Sequence, residues 1–360
     1  MEVKFFSVGC GDAISIRFFG NDGKFHNILI DGGEERNENN YKNGIKKEID
    51  AIIKRKEIID LWIITHIDDD HIGGILRFIY ENNTTKQVDI SKTIFWYNYA
   101  NEDYDTRITK SDYKNVPQAI LLRDYLKSHS KLEESITTAT EPIDFYGAKI
   151  TILSPNQQRF EALVEKWKNE EMKEDVKRKV EEKKRKMNIP KYQSAKSYDY
   201  DTKVDDFDLT QFEEDKKPEN GSSIAFIFEY SGKCFLFLAD SFPSVIVESL
   251  TNLGFTEENK LILDVMQVAH HGSKGNTSNE LLKLISFKED AKFVISANSI
   301  NVHKLPNKET MSRIIRHFPE QKVQFYITHK NEKTLDIIKK KDNLKNVEIL
   351  FSEGFNPIEL

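Results

Sequence analysis

Cysteine is scarce in this sequence: the 360 residues include only two, Cys10 and Cys234. Both stand in apolar, strand-like stretches, a usage that suits a reducing cytosol and argues against a disulfide framework or a thiolate metal site. Long apolar runs are also missing, because no stretch approaches the ~20 residues that cross a bilayer. The N-terminus lacks the apolar core of a signal peptide. We therefore expect a soluble, cytoplasmic protein with no membrane contact.

An excess of positive charge is lacking too, since 53 Lys and Arg face 59 Asp and Glu, a formal net charge of −6. A net acidic chain gives no global argument for nucleic-acid binding, which would need a local basic patch. The hydrophobic fraction of 38% is sufficient for a globular core. We expect one domain over residues 1–360, with insertions at about 98–140 and 157–219.

Apolar periodicity predicts the regular elements around these insertions. It favours helices over residues 44–56, 72–80, 116–127, 245–253 and 308–317, and a charged helix over 160–187. It also favours a hairpin around Ser231-Gly232 and one continuous buried strand over residues 261–269.

What the sequence does contain is a dense group of metal-ligand side chains after a strand-like run. The apolar residues 61–64 lead into two histidines and three aspartates within six positions: His66, Asp68, Asp69, Asp70 and His71. Carboxylates and imidazoles packed this closely repel and desolvate one another unless a cation holds them together. Metal binding is therefore the leading interpretation, and a solvated acidic turn is the alternative. Asp69 is expected to point away from the metal.

Three later apolar runs also end in ligand-type residues: Asp240, then the pair His270 and His271, then His303. A lone Asp after a strand is usually a helix cap, but strand ends converge on one rim of a sheet, where such side chains can meet. Histidine nitrogens and carboxylate oxygens suit Zn²⁺, and also Mn²⁺ or Fe²⁺. The turn residues Asp12 and Asp31 either serve turn chemistry or orient a ligand histidine.

These motifs resemble the metallo-β-lactamase superfamily, whose pattern is His-x-(His/Asp)-x-Asp-His, a bridging Asp and two further histidines. More narrowly, the chain resembles the C-terminal hydrolase domain of bacterial competence DNA-uptake channel proteins and its free-standing relatives. Cys10 stands where that subfamily usually has Gln. The resemblance implies an α+β four-layer αβ/βα sandwich, the metallo-β-lactamase fold, with a charged, largely helical insertion. It covers residues 1–155 and 220–335 through these segments: Val8-Gly9-Cys10-Gly11-Asp12, Ile30-Asp31-Gly32-Gly33, Thr65 to Gly74, Asn220-Gly221-Ser222-Ser223, Leu238-Ala239-Asp240 and His270-His271-Gly272-Ser273.

The resemblance also implies a centre of two divalent metal ions, with Zn²⁺ favoured and Mn²⁺ the alternative. Three carboxylates and one hydroxide would balance two divalent ions, which makes Mn²⁺ a serious competitor. Such ions make a nucleophile from water. The implied ligands divide into three sets: His66, Asp68 and His270 for site one, Asp70, His71 and His303 for site two, and Asp240 as the bridge.

The adjacent histidines leave open which of them binds metal. His270 is preferred because it comes first after the strand. His271 and Ser273 would then support the ligands or contact the oxyanion, so we expect catalytic roles for Asp70, His271 and Ser273.

Three functions stay open at this point. A phosphodiesterase or nuclease is favoured by the competence-like motifs and by basic residues at 177–179 and 183–186, which could grip phosphates. Those basic residues could equally belong to a solvated helix with Glu–Lys pairs. A hydrolase of a small ester, lactone or amide is the second function, because the fold alone does not choose a substrate. A non-catalytic, metal-stabilised partner module is the third. The expected partner is nucleic acid or a phosphodiester substrate, and the sequence names no protein partner.

Overall fold

The regular elements can be assigned over most of the chain. The computed structural model describes residues 1–34, 38–100, 115–167, 197–300, 303–339, 342 and 344–360. The strands in these residues are β1 (Glu2–Phe5), β2 (Ala13–Phe19), β3 (Phe25–Asp31), β4 (Leu61–Ile64), β5 (Ile94–Tyr97), β6 (Lys131–Glu133), β7 (Ile143–Phe145), β8 (Ala148–Ser154), β9 (Ala225–Tyr230), β10 (Lys233–Phe237), β11 (Leu261–Leu263), β12 (Val265–Gln267), β13 (Ile285–Phe287), β14 (Ala291–Ile295), β15 (Val323–Ile327), β16 (Val347–Phe351) and β17 (Ile358–Glu359).

The helices of the described residues are α1 (Glu38–Asn43), α2 (Ile45–Lys54), α3 (Asp69–Thr85), α4 (Asn115–His129), α5 (157–167), α6 (Pro218–Gly221), α7 (Pro243–Asn252), α8 (Asn279–Lys283), α9 (Lys308–His317) and α10 (Glu332–Leu335). None of them is both long and apolar enough to cross a membrane.

Two large sheets lie at the centre of the fold. One has seven strands in the order β17-β1-β2-β3-β4-β5-β6, and the other has eight in the order β16-β15-β14-β12-β10-β9-β8-β7. Both mix parallel and antiparallel pairs. For example, β3 pairs antiparallel with β2 and parallel with β4. A separate parallel pair joins β11 to β13.

Three clusters of buried side chains fix the order of the layers. The first lies between the sheets, where Phe5 of β1 stacks on Phe237 of β10 with ring centroids 6.1 Å apart. The second joins the outer face of the seven-stranded sheet to α2, α3 and α4. The third joins the outer face of the eight-stranded sheet to α7, α8 and α9. The order is therefore helix, sheet, sheet, helix, which confirms the predicted four-layer αβ/βα sandwich.

Strand β4 is buried on both faces, as its uninterrupted apolar run predicts. Leu61 and Ile63 face the other sheet, whereas Trp62 and Ile64 face the helices. Because both faces are filled with apolar side chains, the polar residues that follow must emerge at the end of the strand. The fold thereby brings the His66–His71 motif to the rim of the sheet.

Most of the predicted helices are present, with small differences at their ends. Helix α3 begins earlier than predicted, at Asp69, so the second half of the metal-ligand motif forms its first turn. The prediction of one strand over residues 261–269 is wrong. Asp264 interrupts that run, because its Oδ2 accepts a hydrogen bond from the Cys234 backbone N–H at 2.8 Å. The chain divides there into β11 and β12, which pair in different sheets.

The end of the long insertion packs on the second half of the chain. We call residues 197–217 the strap. The Asp199 carboxylate accepts hydrogen bonds from the Lys308 and Glu309 backbone N–H groups at 2.9 and 3.0 Å, where α9 begins. The Tyr200 hydroxyl lies 2.9 Å from Ser299 Oγ. Residues 168–196, which contain both basic clusters of the insertion, lie outside the described residues.

Two glycines allow α3 to approach the turn after β3. The Gly32 N–H donates to His71 O, and the Gly74 N–H donates to Gly33 O, both at 2.8 Å. A Cβ atom at Gly74 would lie 1.9 Å from Gly32 O, so no larger residue fits without a backbone shift. This contact holds the first turn of α3, and with it His71, against the sheet.

We expect Gly74→Ala to destabilise the protein by about 3 kcal/mol or more, the upper range for overpacking, because the new methyl group meets backbone and not a movable side chain. The exposed Thr84→Ala in the same helix is the control, with an expected change within about 0.5 kcal/mol. Urea unfolding followed by circular dichroism measures both. Equal midpoints for the two variants would show that the approach of α3 to Gly32 is not tight.

Candidate metal centre

The first ligand-type residues come from the junction of β4 and α3. His66 lies two residues after the end of β4, and Asp68 precedes the first turn of α3 with extended backbone angles, φ −72° and ψ 145°. Asp70 and His71 lie in that first turn. Carboxylates are favourable at a helix N-terminus because the helix dipole is positive there. Asp69 turns to α4, where its Oδ1 accepts a hydrogen bond from Gln118 at 3.0 Å.

Asp240, which follows β10, lies between two pairs of histidines. Its Oδ2 is 3.6 Å from His66 Nε2 and 3.5 Å from His270 Nε2. Its Oδ1 is 3.5 Å from His71 Nε2 and 3.7 Å from His271 Nε2. Each oxygen of one buried carboxylate therefore faces its own pair of imidazole nitrogens.

A further carboxylate accompanies each pair of histidines. Asp68 Oδ2 lies 3.9 Å from His66 Nε2, and Asp70 Oδ2 lies 3.3 Å from His271 Nε2. We call His66, Asp68 and His270 group one. We call Asp70, His71 and His271 group two. Asp240 is shared by both groups.

The structure places His271 in the group for which the sequence analysis named His303. The Nε2 atoms of His71 and His271 are 3.3 Å apart, and His271 is buried. His303 is exposed, whereas the other six predicted ligands are buried or half-buried. Ser273 is half-buried, and its Oγ accepts a hydrogen bond from the Gly275 N–H at 3.4 Å.

The backbone after β12 explains how adjacent histidines reach different groups. His270 and His271 both have left-handed φ angles, 49° and 54°. Non-glycine residues seldom adopt this region, and such conformations concentrate at functional sites. The two rings are nearly perpendicular, at 80°, so each Nε2 approaches a different oxygen of Asp240.

Side chains behind the cluster orient its histidines. The Asp31 carboxylate accepts a hydrogen bond from His71 Nδ1–H at 2.7 Å, and Thr65 donates two to the same carboxylate. His66 Nδ1 lies 3.1 Å from Thr65 Oγ1. Because these bonds occupy the Nδ1 atoms, both Nε2 atoms are left facing Asp240. Of the two roles left open for Asp31, the structure therefore shows the orienting one.

Polar side chains also lie beside the Nδ1 atom of His270 and beside His71. His270 Nδ1 lies 3.1 Å from Asp215 Oδ2 and 3.0 Å from Asn276 Oδ1. Asp12 Oδ2 accepts a hydrogen bond from Gln267 Nε2 at 2.7 Å and lies 3.9 Å from His71 Nδ1. Sequence reasoning did not find Asp215, because it lies in the polar insertion without any periodic or motif signal.

The donor atoms fit a divalent metal ion. His66 Nε2 and Asp240 Oδ1 are buried without a hydrogen-bond partner, which is costly unless a cation satisfies them. One ligand atom each from Asp12, His71, Asp240 and His271 lies within 4.8 Å of the others. A cation bound at about 2.0–2.2 Å from N and O ligands joins atoms at such separations with small adjustments.

Burial and neighbouring charges shift the pKa values of the side chains in the cluster. Burial lowers the pKa of His66. Although burial opposes it, the histidines around Asp240 hold the pKa of its carboxyl at about 2. Burial raises the pKa of Asp68 to about 6, and the Lys217 ammonium counteracts part of that rise. Asp240 and Asp215 raise the pKa of His270 to about 9 in spite of its burial.

A thiol also lies beside group two. One ligand atom each from Cys10, Asp70 and His271 lies within 4.8 Å of the others. Burial, followed by the Asp70 charge, raises the pKa of the Cys10 thiol. In the sequence, the only indication of this thiol was that Cys10 stands where the similar competence-protein subfamily usually has Gln.

Three solved structures align with most of this chain. The metallo-beta-lactamase fold protein YhfI from Bacillus subtilis has a TM-score of 0.40 and 9% identity, covering 100% of this chain and 99% of that chain. A diphosphatase from the PhnP family has a TM-score of 0.36 and 12% identity, covering 98% of this chain and 84% of that chain. A long form RNase Z from yeast has a TM-score of 0.36 and 11% identity, covering 91% of this chain and 36% of that chain. No family model and no curated protein sequence matches the chain.

The order of the layers, helix, sheet, sheet, helix, is the one that the resemblance predicted. It confirms the metallo-β-lactamase fold for this chain. The narrower resemblance to the competence-protein domain stays a prediction.

Proposed function

We propose that this chain is a metal-dependent hydrolase with a binuclear centre and that its substrates are phosphodiesters. The observation that carries the proposal is the position of Asp240 between two pairs of histidine nitrogens, all at 3.5–3.7 Å. A carboxylate with one oxygen toward each pair is suited to bridge two ions.

The proposed ligands differ from the sequence expectation at one position. Group one, His66, Asp68 and His270, would hold the first ion, and Asp240 would be shared. In group two, His271 takes the place that was predicted for His303, beside Asp70 and His71. When bound, two divalent ions lower the pKa of water and clamp both the attacking and the leaving oxygen of a phosphoryl group.

The chain's own residues prepare the site for this role. Asp31 and Asp215 hold the Nδ1 sides of His71 and His270, so that the Nε2 atoms stay directed at Asp240. Three carboxylates, Asp68, Asp70 and Asp240, give the site enough negative charge to retain two divalent ions. They also make Mn²⁺ an alternative to the favoured Zn²⁺, because hard oxygen donors suit Mn²⁺.

The preference for phosphodiesters over small esters, lactones or amides is supported by the competence-like motifs and by the suitability of paired ions for phosphoryl transfer. A nuclease is the narrower form of this proposal. The basic residues offered in its favour fall in the part of the insertion that the structure does not describe, so the choice between small phosphodiesters and nucleic acid depends on the substrate assay.

We expect protein purified without chelator to contain close to two equivalents of transition metal by elemental analysis. Hydrolysis of bis-p-nitrophenyl phosphate should disappear on chelation and return with Zn²⁺ or Mn²⁺. Reactions with p-nitrophenyl acetate and with a lactone panel should be slower by tenfold or more. Faster ester or lactone hydrolysis would select the small-molecule alternative.

A matched pair of variants separates ligand loss from general damage. Asp70→Asn should abolish turnover, whereas Asp69→Asn should retain it, because Asp69 contacts Gln118 of α4. Metal retention without turnover on any substrate would favour the non-catalytic partner module.

A further inference from the structure

The last residues of the strap carry a lysine into the metal centre. Lys217 immediately precedes α6, and its ammonium forms an ion pair with Asp68 Oδ2. The same oxygen lies 3.9 Å from His66 Nε2. The lysine therefore binds the atom that group one would offer to its metal ion.

The strap holds Lys217 firmly in this position. The Glu214 carboxylate accepts two hydrogen bonds from Ser244 at 2.8 and 2.9 Å, where α7 begins. The Asp215 N–H donates to Gly275 O at 3.1 Å, and Asp215 Oδ1 accepts from the Lys217 N–H at 3.0 Å. These contacts fix the backbone of the strap over residues 214–217.

We propose that Lys217 is an internal cation that competes with the metal ion of group one for Asp68, so that group one binds its ion more weakly than group two. This inference rests on the proposed binuclear centre. The strap would then set the metal occupancy of the enzyme, because it determines where the ammonium lies.

Two physical effects act in the same direction. A divalent ion at group one must displace the ammonium from Asp68 Oδ2 or share that oxygen with it. The two cations also repel each other, and the carboxylate between them, with a side chain that is 11% exposed, lies where water screens charges less than at the surface. In group two the corresponding carboxylate, Asp70, faces the His271 ring at 3.3 Å. The imidazole ring offers a nitrogen that can bind a metal ion, whereas an ammonium group has no acceptor lone pair.

Competition with a chromophoric chelator measures the dissociation constants of group one and group two, for Zn²⁺ and for Mn²⁺ in turn. The readout is metal binding and does not depend on catalytic turnover. We expect the wild-type chain to bind two ions with constants at least tenfold apart, about 1.4 kcal/mol. In Lys217→Met the weaker constant should tighten by about tenfold or more, while the stronger one stays unchanged. Lys217→Arg, which keeps the charge, should retain the weak constant.

Lys216→Met is the matched control. Lys216 is adjacent in sequence, its side chain is 79% exposed, and its ammonium pairs with Glu213 at 2.8 Å. This variant should reproduce both wild-type constants. Thermal unfolding checks that the variants are folded, and Lys217→Gln is a second neutral variant if Lys217→Met does not fold.

The outcomes separate this inference from the proposed function. Two ions bound by all variants with wild-type constants would overturn the role of Lys217 and leave the binuclear hydrolase intact. No metal bound by any variant would overturn the proposed function itself. At a free metal concentration between the two wild-type dissociation constants, one ion bound by the wild-type chain and two by Lys217→Met would support the competition.

Discussion

Replacing Asp240 by alanine is expected to remove metal binding and hydrolysis together. Asp240 is the side chain shared by both groups, and its two oxygens face four histidine nitrogens at 3.5–3.7 Å. Its loss would leave three buried imidazoles and the half-buried His270 without their common counter-charge. We therefore expect kcat/KM to fall by more than the ~10–100-fold typical of partners that act only through a ligand. Elemental analysis should find fewer than one equivalent of metal.

The fold itself should survive this change, because Asp240 stabilises the cluster and not the hydrophobic layers. Asp240→Asn keeps the volume of the side chain and should lose metal in the same way, and the exposed Asp208→Ala is the control that should behave as wild type. Circular dichroism and thermal unfolding should report folded protein for all three. Full metal content in Asp240→Ala would show that the two groups do not share a bridging carboxylate.

Replacing His271 by alanine is expected to be as damaging as replacing His71, whereas His303→Ala should retain most of the metal and most of the activity. His71 Nε2 and His271 Nε2 lie 3.3 Å apart beside Asp240 Oδ1, so both belong to the ligand set of one ion. His303 is exposed. Metal content and steady-state kinetics of the three variants measured side by side provide the comparison.

This comparison discriminates between the ligand set that the resemblance implies, which includes His303, and the set that the geometry favours, which includes His271. If His303→Ala lost one equivalent of metal and His271→Ala kept both, the set first implied by the resemblance would hold. In that case His271 would return to the supporting role beside Ser273. Loss of one equivalent in His271→Ala alone would establish group two as the structure arranges it.

Much of the fold follows from local patterns in the sequence. Strand β4 is predicted because its four residues are all apolar, and the structure buries them on both faces. Helix α9 has the bounds that its periodicity predicts, Lys308–His317. The division at Asp264 was not predictable in the same way, because the hydrogen bond that interrupts the run comes from Cys234, 30 residues earlier.

The candidate site also combines features that the sequence predicts with features that depend on contacts between distant residues. The sequence by itself determined the chemistry of this protein: histidines and aspartates follow apolar runs, and runs buried on both faces must release polar residues at the rim of a sheet. The tertiary structure alone decided which side chains meet there. His271 reaches group two through a left-handed backbone, and Lys217 reaches Asp68 across 149 positions of sequence. The physical reason is that periodicity reports which face of an element is buried, whereas contacts between loops depend on how the layers bring distant turns together.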